Sequence, residues 1–113
     1  MIFVDTSYLL ALAKPRDQLH ARAIAWAKVA PPPFLTTEYV VIETINGLSM
    51  PLDRPRGYIF LEQMRPDLGW EVMPASNELV ASGLQLHRQS TDKEWSLTDC
   101  VSFVVMRQPY AQA

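Results

Sequence analysis

The sequence predicts an α/β fold in which a mainly parallel sheet is layered between helices. Three short apolar runs, at residues 2–4, 34–36 and 70–73, have the length and composition of strands. Each run is followed by residues that cap helices and then by a longer stretch whose apolar residues recur at helical spacing. Strands that alternate with helices through short connections are typical of a parallel sheet covered by helices.

The length and composition predict one globular domain. A chain of 113 residues with 49% hydrophobic and 19% charged residues can bury a core and lies outside the disordered class. The single cysteine, Cys100, excludes an intramolecular disulfide and a cysteine-based zinc site. Together with the lack of a signal peptide, this predicts a location in the reducing cytoplasm. No stretch has the length and apolar character needed to span a membrane.

The net charge of −2 gives the chain no general attraction to nucleic acid. Any binding of RNA or DNA must therefore depend on local cations. Two short basic clusters are candidates: Lys14 with Arg16, and Arg54 with Arg56. Solvated charge in a loop is the more frequent explanation for such short clusters.

The first candidate site residue, Asp5, ends the apolar run at residues 2–4. Thr6 or Ser7 is expected to cap a helix that begins near Tyr8 and ends before Pro15. Asp5 then lies at the carboxyl end of a strand, where open α/β sheets bind their ligands. The alternative is that Asp5 only favours the start of the helix, and this stretch alone leaves the two explanations equally open.

The other helices are bounded by capping residues, glycines and prolines. They are predicted at residues 20–29, 39–48, 56–64, 79–87 and 100–106. Thr36 or Thr37 is expected to cap the helix at 39–48, and Ser76 or Asn77 the helix at 79–87. His87 ends the apolar stripe of its helix and is interpreted as a packed edge residue rather than a ligand.

The second candidate, Glu43, lies about two turns into a helix that is otherwise almost wholly apolar. A carboxylate in such a run is costly to bury unless it is paired, hydrogen-bonded or bound to a metal, which favours a functional role. The alternative is a tipped helix that lets Glu43 reach solvent at its edge. Glu38, in the first turn of the same helix, is interpreted as structural because the helix dipole favours an acid there.

The third candidate, Asp99, belongs to a capping-box pattern that begins at Ser96 and explains the acid when taken alone. However, Asp5, Glu43 and Asp99 occur in three separate α/β units and can converge at one edge of the sheet. A cluster of carboxylate oxygens suits a hard cation such as Mg²⁺ or Mn²⁺. Such a metal binds a phosphodiester, activates a water and steadies the leaving oxygen, which is the chemistry of a carboxylate nuclease.

Three segments that contain these acids resemble the main motifs of PIN-domain proteins, specifically the VapC-type toxins of bacterial toxin–antitoxin pairs. They are IFVDTS at 2–7, TTEYVVIET at 36–44 and SLTDCVSFVVM at 96–106, and the likeness extends to about residue 107 in the family's order and spacing. The resemblance implies a cytoplasmic endoribonuclease dependent on Mg²⁺ or Mn²⁺ that acts on structured RNA such as tRNA or rRNA. It also implies a homodimer that is silenced by a VapB-type antitoxin.

By this resemblance Asp5, Glu43 and Asp99 are the catalytic and metal-binding acids, and Thr6 and Thr98 are hydroxyls that support them. In the family a further strand with a fourth acid and a short final strand follow the third motif, whereas here the sequence continues only to Ala113. We therefore expect a single PIN-like domain at residues 1–113 that lacks these strands and leaves residues 2–4 as an unpaired sheet edge.

This departure leaves an alternative function open: a catalytically impaired PIN remnant that retains the fold and antitoxin binding. A phospho-accepting receiver domain ranks well below both. That fold requires adjacent acids after its first strand and a late lysine, whereas Thr6 follows Asp5 here and no lysine follows Lys93.

Overall fold

A parallel three-stranded sheet forms the centre of the molecule. The computed structural model describes residues 1–108. Its strands are β1 (Ile2–Phe3), β2 (Phe34–Thr37) and β3 (Trp70–Met73), hydrogen-bonded in the order β1-β2-β3. Ile2 pairs with Phe34 and Phe34 pairs with Trp70, so β2 is the central strand of the described sheet. The predicted α/β class is confirmed.

In the described part of the chain, six helices flank this sheet, and each strand is followed by one of them after at most three residues. They are α1 (Thr6–Ala13), α2 (His20–Ala27), α3 (Glu38–Gly47), α4 (Arg54–Gln63), α5 (Asn77–Gln89) and α6 (Leu97–Met106). A short 3₁₀ turn at Pro66–Leu68 precedes β3. Helix α4 begins two residues earlier than predicted because Pro55 lies in its first turn, where a missing N–H leaves no hydrogen bond unmade. Within residues 1–108, no helix has the length and apolar character required to cross a membrane.

The core lies between the sheet and helices α1, α3 and α6. Leu35 of β2 and Val105 of α6 are fully buried, and Val40, Leu48 and Val101 are buried almost as completely. Because these side chains come from elements far apart in the sequence, their burial fixes how the helices sit on the sheet.

A row of aromatic rings extends this packing to α2. The rings of Tyr8 and Trp26 lie 4.8 Å apart in an edge-to-face arrangement, and Trp26 is 6.5 Å from Phe34. Phe34 in turn lies 4.9 Å from Trp70. These contacts attach the two N-terminal helices to β2 and β3.

The cap of α1 differs from the prediction, which placed it at Thr6 or Ser7. Asp5 is the capping residue: its Oδ1 accepts a hydrogen bond from the Tyr8 N–H at 3.0 Å. The chain is still extended at Asp5 when it leaves the sheet, and an extended aspartate is among the best helix caps. Helix α1 therefore begins at Thr6 rather than near Tyr8.

The predicted capping box of α6 is confirmed. The Asp99 N–H donates to Ser96 Oγ at 3.0 Å, and the Ser96 N–H donates to Asp99 Oδ2 at 3.0 Å. Two backbone donors that the helix start leaves unpaired are satisfied in this way.

We expect Ser96→Ala to lower the free energy of unfolding by about 1 kcal/mol, because it removes the hydroxyl that accepts the Asp99 N–H. Urea denaturation measures this change. Ser82→Ala, at an exposed position inside α5, is the control and is expected to change stability by no more than about 0.5 kcal/mol. Equal effects of the two substitutions would contradict the capping role.

Helix α5 packs closely against α6 at Gly83, which is buried. A Cβ atom on Gly83 would lie 2.6 Å from Cγ2 of Val101, a buried and β-branched side chain with little freedom to move. The pairing of these helices therefore requires a residue without a side chain at position 83.

We expect Gly83→Ala to destabilise the fold by roughly 1–3 kcal/mol through overpacking, despite the higher helix propensity of alanine. Thermal and urea unfolding test this. The double variant Gly83→Ala with Val101→Ala is expected to lose less stability than the sum of the two single variants, because the alanine methyl then enters the space that Val101 occupied. Additive losses would show that the contact between α5 and α6 is not the cause.

Candidate active site

Two buried hydrogen bonds fix the point at which the chain leaves the sheet toward the candidate site. The Val4 N–H donates to the Leu35 carbonyl oxygen at 2.8 Å, directly after β1. The buried Thr36 hydroxyl donates to the Val4 carbonyl oxygen, also at 2.8 Å. With both backbone groups of Val4 held by β2, the next residue, Asp5, has a fixed position at the carboxyl end of the sheet.

Asp5 is exposed and lines an open groove of about 510 Å³ between α1 and α2. Ser7, Arg22 and Trp26 line the same groove. One carboxylate oxygen of Asp5 accepts the Tyr8 N–H, and the other has no hydrogen-bond partner within residues 1–108. Capping therefore occupies only half of the carboxylate, and a free oxygen is available to a ligand.

Glu43 lies in the second turn of α3 and is half-buried. Its carboxylate forms no hydrogen bond or ion pair with any other residue in the described part of the chain. Glu38, in contrast, is engaged structurally: its Oε1 accepts the N–H of Ala75, which links the start of α3 to the connection between β3 and α5. Of the two acids in α3, Glu43, the one predicted to be functional, is thus the one without a partner among the described residues.

Asp99 is exposed in the first turn of α6, and its neighbour Thr98 is half-buried. The capping box occupies Asp99 Oδ2 and leaves Oδ1 without a partner among the described residues. As with Asp5, a structural role and a ligand role use different oxygens of the same side chain.

The three acids do not form a compact cluster. Across residues 1–108, no three His, Cys, Asp or Glu side chains are arranged closely enough to hold a metal ion. The structure places Asp5 after β1, Glu43 inside α3 and Asp99 at the start of α6, each with at least one free oxygen. A metal site built from these three residues stays a prediction.

One buried hydroxyl beside a candidate acid in the sequence is consistent with a bound ion or water. Thr6 Oγ1, in the residue directly after Asp5, has no hydrogen-bond partner in the described structure. A buried polar atom without a partner calls for such an explanation. Thr44 Oγ1 also lacks a partner, but Thr44 lines a small pocket between α3 and α4 that contains no acid. Carboxylate oxygens are the ligands that Mg²⁺ and Mn²⁺ prefer, so the residues present suit a hard divalent cation by their chemistry.

Sequence reasoning missed Arg22 and Trp26. No sequence signal marks either residue, because only the packing of α2 against α1 places them beside Asp5.

Cys100 is excluded as a nucleophile by its surroundings. It is fully buried in α6, and this burial raises the pKa of its thiol, as does the neighbouring charge of Asp99 to a smaller extent. The thiol therefore remains protonated at neutral pH and packs as an apolar side chain.

The fold and the candidate site define a small α/β domain with an exposed aspartate, Asp5, at the carboxyl edge of a parallel sheet. Residues 2–109 match the PIN domain family, and the chain belongs to that family. The solved structure of the toxin VapC20 from Mycobacterium tuberculosis superimposes with a TM-score of 0.82 and 27% sequence identity. The match covers 95% of this chain and 82% of VapC20, which is described as a sarcin–ricin loop cleaving toxin. No protein with curated annotation matches the chain. The predicted resemblance to VapC-type PIN proteins is thus confirmed.

We expect Thr6→Val to leave the free energy of unfolding unchanged or to raise it by up to about 1 kcal/mol, because the substitution removes a buried hydroxyl that lacks a partner. The matched control is Thr36→Val, which deletes the hydrogen bond to the Val4 carbonyl and is expected to cost about 1 kcal/mol. Urea denaturation of both variants without divalent metal gives the comparison. A loss at Thr6 as large as that at Thr36 would show that the Thr6 hydroxyl is already satisfied.

Proposed function

We propose that this protein is a VapC-type toxin ribonuclease that hydrolyses phosphodiester bonds of structured RNA with Mg²⁺ or Mn²⁺ bound by Asp5, Glu43 and Asp99. The observation that carries the proposal is the position of Asp5. It stands at the carboxyl end of β1 with one free oxygen, in an open groove of a chain that belongs to the PIN domain family. Open α/β sheets bind their ligands at this edge, so a carboxylate there is well placed to contact one.

In this proposal the chain's own residues bind and orient the RNA. Asp5 and Asp99 hold the ion through the oxygen that capping leaves free, and Glu43 holds it through its unpaired carboxylate. Thr6 and Thr98 support Asp5 and Asp99. When bound, the ion supplies Lewis-acid stabilisation of the phosphate and activation of water. Arg22, which forms no ion pair within residues 1–108 and lines the Asp5 groove, contacts a phosphate of the substrate.

The proposed substrate is RNA of the rRNA or tRNA class. VapC20 is described as cleaving the sarcin–ricin loop, so ribosomes and a hairpin with that loop are the first substrates to test. By the same relationship we propose a VapB-type antitoxin as the inhibitory partner, a homodimer as the assembly, the cytoplasm as the location and residues 1–113 as one PIN-like domain.

A second candidate is a catalytically impaired PIN protein that retains antitoxin binding. The observation that favours it is the separation of the acids: within residues 1–108 they form no ready ligand cluster. A well-folded chain that binds a VapB-type antitoxin but cleaves no RNA with either metal would select this candidate.

We expect Asp5→Asn to reduce metal-dependent RNA cleavage by at least about a hundredfold, because it removes a charged ligand. An asparagine oxygen still accepts the Tyr8 N–H, so the free energy of unfolding should change by no more than about 0.5 kcal/mol. Gel analysis of ribosomal RNA after incubation with Mg²⁺, Mn²⁺ or EDTA measures the cleavage.

The control for this variant is Asp17→Asn. Asp17 also accepts a backbone N–H, that of Leu19 at 2.8 Å, but it does not line the Asp5 groove. We expect this control to retain full activity. Cleavage that persists in Asp5→Asn or in EDTA would contradict the proposed site.

A further inference from the structure

The two basic clusters of the sequence meet in one groove. Lys14, Arg16 and Arg56 line an open groove of about 640 Å³ together with the loop at residues 50–53. Of the described residues that line it, Asp53 alone is acidic. We call this surface the basic groove. It is distinct from the Asp5 groove, with which it shares no lining residue.

Two arginines near this groove are held by neutral acceptors. Arg56 Nη1 donates to the carbonyl oxygen of Ala13, the last residue of α1, at 3.0 Å. The Arg54 guanidinium donates twice to the Ser49 carbonyl oxygen, at 3.1 and 2.6 Å. These bonds fix both guanidinium groups without neutralising them. Among residues 1–108, the one ion pair at this position joins Arg56 to Asp53 and is long, at 3.8 Å. Asp53 offsets one of the three cations that line the groove, so an excess of positive charge remains.

The placement of these cations is unfavourable for the helix that carries them. Arg54 and Arg56 occupy the first turn of α4, which contains no acidic residue. The helix dipole makes this end positive and favours acids there, so two arginines concentrate positive potential instead. In a chain with a net charge of −2, such a local excess of positive charge indicates an anionic ligand.

We propose that the basic groove binds the sugar–phosphate backbone of the RNA substrate, away from the bond that is cleaved. The inference rests on the proposed ribonuclease function. Helix α1 joins the two sites: Asp5 caps its start, and Arg56 binds the carbonyl at its end. Its eight residues span roughly 12 Å, which corresponds to about four stacked nucleotides.

This distance defines the substrate class. A folded RNA with its cleaved phosphate at Asp5 is long enough to place a second phosphate in the basic groove, whereas a very short oligonucleotide is not. The groove therefore selects longer RNA over short fragments, without reading sequence. The exposed side chains of Met50 and Leu52, at 69% and 91% exposure, also line the groove, so a protein segment with acidic and apolar residues is the competing occupant.

The test is RNA binding by the full chain in EDTA, where cleavage does not occur. The groove variant is Lys14→Gln with Arg16→Gln, because neither side chain forms a hydrogen bond or ion pair within residues 1–108. The control is Lys28→Gln with Arg88→Gln, which removes the same charge from exposed positions outside the groove. Fluorescence anisotropy with a sarcin–ricin hairpin RNA, at several salt concentrations, gives the affinities.

We expect the groove variant to bind the hairpin about tenfold more weakly. The salt slope should fall by about 1.4 if the two lost phosphate contacts are in the single-stranded loop, and by about 1.8 if they are in the duplex stem. The control is expected to change the affinity by less than about twofold. Equal weakening by both variants, unchanged binding by the groove variant, or no binding by the wild type would overturn the proposal. If the groove variant lost binding to an acidic peptide but bound the hairpin normally, the groove would be assigned to a protein partner. That result would overturn the proposal as well.

A cleavage assay tests the groove assignment separately from the proposed ribonuclease function. With Mn²⁺ present, the groove variant is expected to cut a short oligonucleotide at the wild-type rate and the hairpin more slowly. A wild-type chain that binds the hairpin through the groove but cuts neither RNA would contradict the proposed function and leave the groove assignment supported. Slower cleavage of both RNAs to the same extent would overturn the groove assignment.

Discussion

The pairing of the end of β1 with β2 determines where the functional groups of this protein lie. Val4 donates to Leu35 and accepts from the Thr36 hydroxyl, and Leu35 and Thr36 are fully buried. The end of β1 cannot shift without leaving these polar groups unsatisfied, which is costly in a buried position. Asp5 therefore leaves the sheet at a fixed point and caps α1. The far end of that helix, in turn, receives Arg56.

The candidate acids combine structural and functional roles. Asp5 and Asp99 each use one carboxylate oxygen to cap a helix and have the other oxygen free within residues 1–108. Capping orients a ligand oxygen at little cost, since the hydrogen bond to the backbone holds the side chain in one rotamer. Glu43 has no such support, because its carboxylate forms no hydrogen bond or ion pair within residues 1–108. The Thr6 hydroxyl, directly after Asp5, also lacks a partner in the described structure.

Local patterns predicted most of the fold, and tertiary packing decided what they left open. The bounds of β3 and the capping box of Ser96 and Asp99 follow from short-range signals, and both were predicted correctly. The cap of α1 was misassigned because Asp5, Thr6 and Ser7 are all good caps, and only the point at which strand pairing stops chooses among them. The basic clusters were interpreted as separate loop charges. Nothing in the sequence indicates that the end of α1 lies beside the start of α4.

The central claim is that Asp5, Glu43 and Asp99 together bind one divalent cation. Crystals grown with Mn²⁺, with diffraction measured at its absorption edge, test this most directly, because the anomalous signal locates the ion without reference to activity. The account predicts an anomalous peak in contact with carboxylate oxygens of all three residues. A peak elsewhere in the molecule, or Asp5 and Asp99 acting only as helix caps with no ion beside them at saturating Mn²⁺, would contradict it.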